Sequence, residues 1–237
     1  RGVGMALFSY KTGVWPISLE IAGARLSLNQ DGSVQLQVGA TEIGQGADTV
    51  FSQMAAETLH MDISRVHIVT QQDTDVTPFD TGAYASRQSF VTGTAVKECA
   101  QQLKQKILEY ARTLVPGNVD RLELEVGYIL ADGKPAISLE DLAMESYYSL
   151  SNSSVLTAEV SRQVKKNTVA SGCCFAEVEV DLKLGKIKVL DIVNVHDSGT
   201  LLNPQLAAMQ VHGGMFMGIG YGVSEQLLID EKTGRPL

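Results

Sequence analysis

The sequence has 237 residues, 44% of them apolar and 19% charged, which is enough apolar material for a substantial core. Its net charge of −8, with no cationic run longer than Lys165-Lys166, excludes an electrostatic footprint for nucleic acid or an anionic membrane surface. The longest strongly apolar run, Gly213 to Val223, is about half a membrane span and crowded with glycine, so no transmembrane helix is expected.

Cys99 and the adjacent pair Cys173-Cys174 provide neither an even disulfide set nor a C-x-x-C ligand spacing, which fits a reducing, cytoplasmic setting. In a strand the adjacent pair points to opposite faces and reads as two small packing residues. His60, His67, His196 and His212 show no ligand spacing either, so the chain itself is expected to ligate no metal. The sequence opens on Arg1 and stops inside an apparent turn at 230–234, as an excised piece would.

Gly2 to Glu20 reads as an entry segment of indeterminate strand content. Arg25 to Leu28 and Ser33 to Val38 then alternate as two strands around Asn29-Gln30-Asp31-Gly32, a strong hairpin turn. Gly44-Gln45-Gly46 follows as a tight turn at the mouth of a helix over 47–60, whose buried face is Val50, Phe51, Met54, Ala55 and Leu59. Glycines there let backbone approach a ligand, and unpaired N–H groups of the first helical turn would face an anion, phosphate being the natural guess. A plain tight connection is the alternative.

Val66 to Val69 reads as a short buried strand. Asp73, Asp75 and Asp80 lie in a polar loop without the spacing of a calcium site, and are expected to form turns and caps. From Arg87 to Leu114 one stripe of Ala95, Cys99, Leu103, Ile107, Ala111 and Leu114 predicts a long surface helix. Its approach, Thr81 to Ser86, is built of small residues and hydroxyls and makes a second candidate anion cradle.

Residues 115–170 read as an insert or linker. Glu123 to Ile129 and Pro135 to Ile137 flank Asp132-Gly133 as a hairpin, Ser138 caps a short helix through Met144, and Ser146 to Ser154 is expected to be loop. The opening pattern then recurs: Phe175 to Leu182 and Lys186 to Val195 alternate around Leu184-Gly185, a loop follows at His196 to Gly199, and a helix starts at Asn203-Pro204. Gly214, Gly218 and Gly222 share one face of that helix, so a backbone or a ligand is expected to come close there; Gln210 sits one turn earlier.

The ordered set Thr41-Glu42-Ile43-Gly44-Gln45-Gly46, Thr81 to Arg87 running to Gly93-Thr94-Ala95-Val96, Ala176 to Asp181, Asp197-Ser198-Gly199 and Asn203-Pro204 with Gln210 resembles the cofactor-binding region of the molybdenum hydroxylases, the xanthine dehydrogenase and aldehyde oxidase family. Tyr84-Ala85-Ser86-Arg87 looks like the bacterial xanthine dehydrogenase or purine hydroxylase branch. The resemblance implies an α+β fold with mixed sheets, part of a larger molybdenum domain, in which two similar hairpin-loop-helix subdomains, 1–114 and 171–237, hold a pterin dinucleotide between them. It further implies that Gly44, Gln45, Gly46, Ala85, Ser86 and Gln210 contact a molybdopterin cofactor, of the cytosine dinucleotide form in bacterial relatives, whose molybdenum needs no protein ligand.

The family's chemistry is hydroxylation of an electron-poor carbon with oxygen from water, with electrons leaving through Fe–S and FAD units on other domains or subunits of an enzyme that commonly dimerises. The Gly-Glu-Pro type segment that bears the family's base glutamate has no match here, so no catalytic residue is assigned and the 237 residues alone are expected to be inactive. Aldehyde-, nicotinate- or CO-oxidising relatives share these motifs, and a non-catalytic phosphate- or cofactor-binding module is the remaining alternative.

Overall fold

The computed structural model describes residues 1–237. Strands and helices form two compact units, one of Thr12–Asn167 and one of Arg1–Lys11 with Thr168–Leu237. The α+β class expected from the sequence holds.

The entry segment proves to be strand β1 (Gly2–Thr12). In the Thr12–Asn167 unit, β2 (Ile21–Leu28) and β3 (Val34–Val38) pair antiparallel as expected, with Ala22, Ala24, Leu26, Leu28, Val34 and Leu36 fully buried on alternate positions. Asp31 closes the turn by accepting the Ser33 N–H at 2.9 Å. Helix α1 (Ala47–Leu59) returns the chain to β4 (Val66–Ile68), which lies parallel to β3. Helix α2 (Gln88–Leu114) buries Ala95, Cys99, Leu103, Ile107 and Ala111 of the stripe read from the sequence and leaves Leu114 half-buried, while Val91 and Val96 are buried as well. The Cys99 thiol donates to the Ala158 carbonyl at 3.2 Å, and burial pushes its pKa up to about 11, so it is inert packing material.

Next come β5 (Leu122–Glu125), β6 (Tyr128–Ala131), β7 (Lys134–Ser138), helix α3 (Leu139–Tyr148) and β8 (Thr157–Gln163). Glu123 to Ile129 is not one strand, because the chain reverses at Val126 and Gly127, whose φ values are +45° and +78°. Ser138 does cap α3, its Oγ accepting the Asp141 N–H at 3.0 Å, but the helix runs past Met144 to Tyr148. Ser146 is buried and satisfies its hydroxyl on the Ala143 carbonyl at 2.8 Å, while the rest of the serine-rich stretch, beyond Tyr148, lies outside the helix.

Nor is 115–170 a separate insert. β8 pairs with β2 along its length and completes a four-stranded sheet of order β4-β3-β2-β8, so most of this stretch belongs to the Thr12–Asn167 unit.

In the second unit β9 (Thr168–Asp181) and β10 (Lys186–Asp197) form the recurring hairpin, with β1 on the other edge of β9. His196 and Asp197, expected in a loop, close the β10 ladder opposite Gly172 and Ser171. Helix α4 (Pro204–Val223) starts where predicted, with Asn203 Oδ1 accepting the Leu206 N–H at 3.0 Å. None of its residues is buried, and nothing in this chain lies within 4 Å of a Cβ added at Gly214, Gly218 or Gly222. Of the two neighbours expected against that face, a backbone or a ligand, the backbone is therefore not supplied by these residues. No helix is long and apolar enough to cross a membrane.

Candidate functional site

The Gly44-Gln45-Gly46 turn sits at the N-terminus of α1 as anticipated, with Gly46 at φ +87° as the capping residue. The N–H groups of Gly44 and Gly46 are not open to an outside anion. Glu42 folds back so that Oε1 accepts from Gly44 at 2.7 Å and Gly46 at 3.0 Å, while Oε2 accepts from Asp48 at 3.1 Å. The helix thus carries an internal carboxylate where a phosphate was expected. Partial burial pushes the Glu42 carboxyl up, but the N–H groups of Gly46, Asp48, Gly44 and Ala47 outweigh it and hold the pKa below its ordinary value. Asp48 is raised in turn, by burial first and then by the Glu42 charge.

Gln45 is fixed from three directions. Its Oε1 accepts the Ile43 N–H at 2.7 Å, and its Nε2 donates to the Thr41 carbonyl at 3.0 Å and to Gln88 Oε1 at 2.6 Å. Gln88 is the first residue of α2, and its own Nε2 reaches the Thr41 carbonyl at 3.3 Å. Two motifs 43 residues apart in sequence are thereby joined by a side-chain amide pair. Both Gln45 N–H groups are engaged, so its spare capacity is a lone pair on Oε1.

Immediately before Gln88, the small residues Ala85 and Ser86 both adopt left-handed backbone, at φ +47° and +52°. Each such residue costs about 1 kcal/mol or more. Ser86 is exposed and does not cap α2; the capping position is Arg87, whose side chain makes no cap bond. Arg87 is fully buried with Glu20 and Asp80: Nε donates to Glu20 Oε2 and Nη1 to Asp80 Oδ1, each at 2.5 Å. Burial works against the Arg87 charge, but the two carboxylates outweigh it and raise its pKa. The sequence reading missed Glu42, Gln88 and this triad. One signal was available, since an arginine at the start of a helix opposes the helix dipole and calls for a carboxylate partner.

The acidic loop does the turn work expected of it. Asp73 Oδ1 accepts the Asp75 N–H at 2.9 Å, and Asp80 accepts that of Gly82 at 2.8 Å. No group of three His, Cys, Asp or Glu side chains is placed to hold a metal ion. Gln210 lies on an exposed face of α4 in the other unit.

The profile of the molybdopterin cofactor-binding domain matches residues 1–237. A xanthine dehydrogenase molybdenum-binding subunit of Escherichia coli O157:H7 is 50% identical over 99% of this chain and 32% of its own length. The carbon monoxide dehydrogenase large chain of Hydrogenophaga pseudoflava is 26% identical over 97% of this chain and 30% of its own. Among solved structures, the quinoline 2-oxidoreductase of Pseudomonas putida 86 superposes with a TM-score of 0.85 at 24% identity, covering 97% of this chain and 31% of that one, which speaks for the fold alone. The chain spans about a third of the length of the curated relatives it matches. With its profile matched from end to end and half its residues shared with a molybdenum-binding subunit, the chain belongs to the molybdopterin cofactor-binding domain family.

Proposed function

We propose that the chain holds a molybdopterin cofactor, in its cytosine dinucleotide form, for a molybdenum hydroxylase that oxidises a purine-type heterocycle with oxygen from water. The observation that carries this reading is the 50% identity to a xanthine dehydrogenase subunit, against 26% to a carbon monoxide dehydrogenase large chain and 25% to a nicotine 6-hydroxylase large subunit.

The residues fit the group. Gly44 is exposed, and nothing in the chain lies within 4 Å of where its Cβ would be, so a flat ring can approach the backbone. Gln45 offers an oriented amide oxygen and Ser86 an exposed hydroxyl. These suit a polar heterocycle. They do not suit a phosphate at this turn, because Glu42 already holds the N–H groups and would repel a second anion. We therefore assign Gly44, Gln45, Gly46, Ala85 and Ser86 to the pterin end of the cofactor, and Gln210 to a further contact.

When bound, the cofactor supplies the oxygen- and electron-transfer chemistry. The chain's own work is to bind and orient it: rigid backbone at 44–46 and 85–86, and an amide pair, Gln45 and Gln88, that keeps the two loops in register. The two hairpin-loop-helix units serve as its two cofactor-binding subdomains. Fe–S and FAD units receive the electrons, the full enzyme is a homo-oligomer, and it works in the cytoplasm.

The test uses the natural full-length protein from a host that makes and inserts the cofactor. Acid hydrolysis is expected to release CMP, and turnover is expected to be fastest on purines among purines, aldehydes, nicotinate and CO. Turnover confined to aldehydes or CO would overturn the substrate class, and release of a different nucleotide would overturn the cofactor form.

A further inference from the structure

We infer that Arg87 is a positioning residue: it clamps the Ala85-Ser86 bend in its left-handed form so that these two residues are held ready for the cofactor. The inference rests on the proposed role of Ala85 and Ser86, and its argument is geometric. The guanidinium makes four bonds to four residues in two stretches of the chain, 20–21 and 80–82. Nε takes Glu20 Oε2 and Nη1 takes Asp80 Oδ1, both at 2.5 Å; Nη1 also reaches the Gly82 carbonyl at 3.0 Å, and Nη2 the Ile21 carbonyl at 2.8 Å. Arg87 and Glu20 are 0% exposed, so the fork is shielded from water and its geometry is strongly held.

The bonds close a ring around the bend. The Ala85 carbonyl accepts the Gly13 N–H at 2.8 Å, the neighbouring Val14 N–H goes to Glu20 Oε1 at 2.5 Å, and the other Glu20 oxygen returns to Arg87. Asp80 braces the opposite side, accepting the Gly82 N–H at 2.8 Å and the Thr92 hydroxyl at 2.6 Å. The bend is thus tied at its start through Gly82, at Ala85 through Gly13, and at its end by Arg87 itself. Two adjacent non-glycine residues in left-handed backbone need such over-determination to persist. A lysine keeps the charge but cannot reach four acceptors from one plane.

The test compares full-length wild-type, Arg87→Lys, Glu20→Gln and Thr92→Val proteins expressed in a cofactor-competent host. Readouts are molybdenum per chain, the Mo(V) EPR spectrum of the loaded fraction, and amide exchange of the cofactor-free protein. Expected for R87K is a drop of about tenfold or more in molybdenum content, a changed EPR spectrum in what remains loaded, and faster exchange confined to the segment 80–90. If R87K does not fold, E20Q and T92V carry the same readouts with milder losses in the same segment.

Wild-type molybdenum content and an unchanged spectrum in R87K or, failing its folding, in both milder variants would overturn the clamp alone. Loss of protection spread evenly over the chain would also overturn it, reducing the triad to general stability. Absence of molybdenum from the wild-type protein would overturn the proposed function, and the clamp's cofactor role with it.

Discussion

Glu42 changes what the glycine turn means. A helix mouth with two glycines reads as an anion site, and it is one, but the anion is the chain's own carboxylate, held by the N–H groups of Gly44, Gly46 and Asp48 at 2.7 to 3.1 Å. Glu42→Gln keeps an acceptor oxygen and loses the charge, which should cost about 1 kcal/mol of stability at neutral pH. The sign with pH follows from the lowered pKa. A carboxylate whose folded pKa lies below its ordinary value of 4.5 stabilises fully above that value and loses the contribution as pH falls through the folded pKa. Urea unfolding of wild-type and E42Q protein should therefore differ at pH 7 and converge in acid. An equal difference at both pH values would mean that charge is not what Glu42 contributes.

The segment Pro78 to Asp80, which delivers Asp80 to Arg87, packs against Gly23 and Gly39. A Cβ on Gly39 would collide with the Pro78 carbonyl and meet the Asp80 nitrogen at 2.8 Å, both backbone atoms that cannot give way. On α2, a Cβ on Gly93 would meet only the Met54 Cε at 2.8 Å and Sδ at 2.9 Å, the far end of a flexible chain. Gly39→Ala is accordingly expected to cost about 3 kcal/mol, and Gly93→Ala to stay within about 1 kcal/mol because gained helix propensity offsets the Met54 shift. Thermal melts of the two variants decide it; equal losses would contradict this packing.

Both hairpins, all three long helices and the Asn203 cap were legible because periodicity and capping chemistry are local. The break at Val126-Gly127 was not, since a β-branched residue at positive φ runs against its own propensity. Arg87 at a helix start signalled a need for carboxylate partners but not which ones: they lie 67 and 7 residues away, and no sequence period relates them. The cofactor residues were visible only as an ordered set of motifs. What joins the first two of those motifs, the Gln45–Gln88 amide pair, belongs to the folded chain.

Helix α4 has no buried residue. Phe216 is 80% exposed and Tyr221 69%, and the glycine face meets nothing within 4 Å, although glycine weakens a helix by about 1 kcal/mol per site. In the full-length protein Gly218→Ala is expected to lower either molybdenum content or melting temperature. A higher melting temperature with unchanged molybdenum would contradict any close approach to that face. The claim on which the rest depends is that this fold carries a molybdenum cofactor without ligating the metal itself. The measurement that tests it most directly is the molybdenum content of the natural full-length protein, produced in a host that makes and inserts the cofactor: near-stoichiometric metal is predicted, and protein that is folded but free of molybdenum would contradict it.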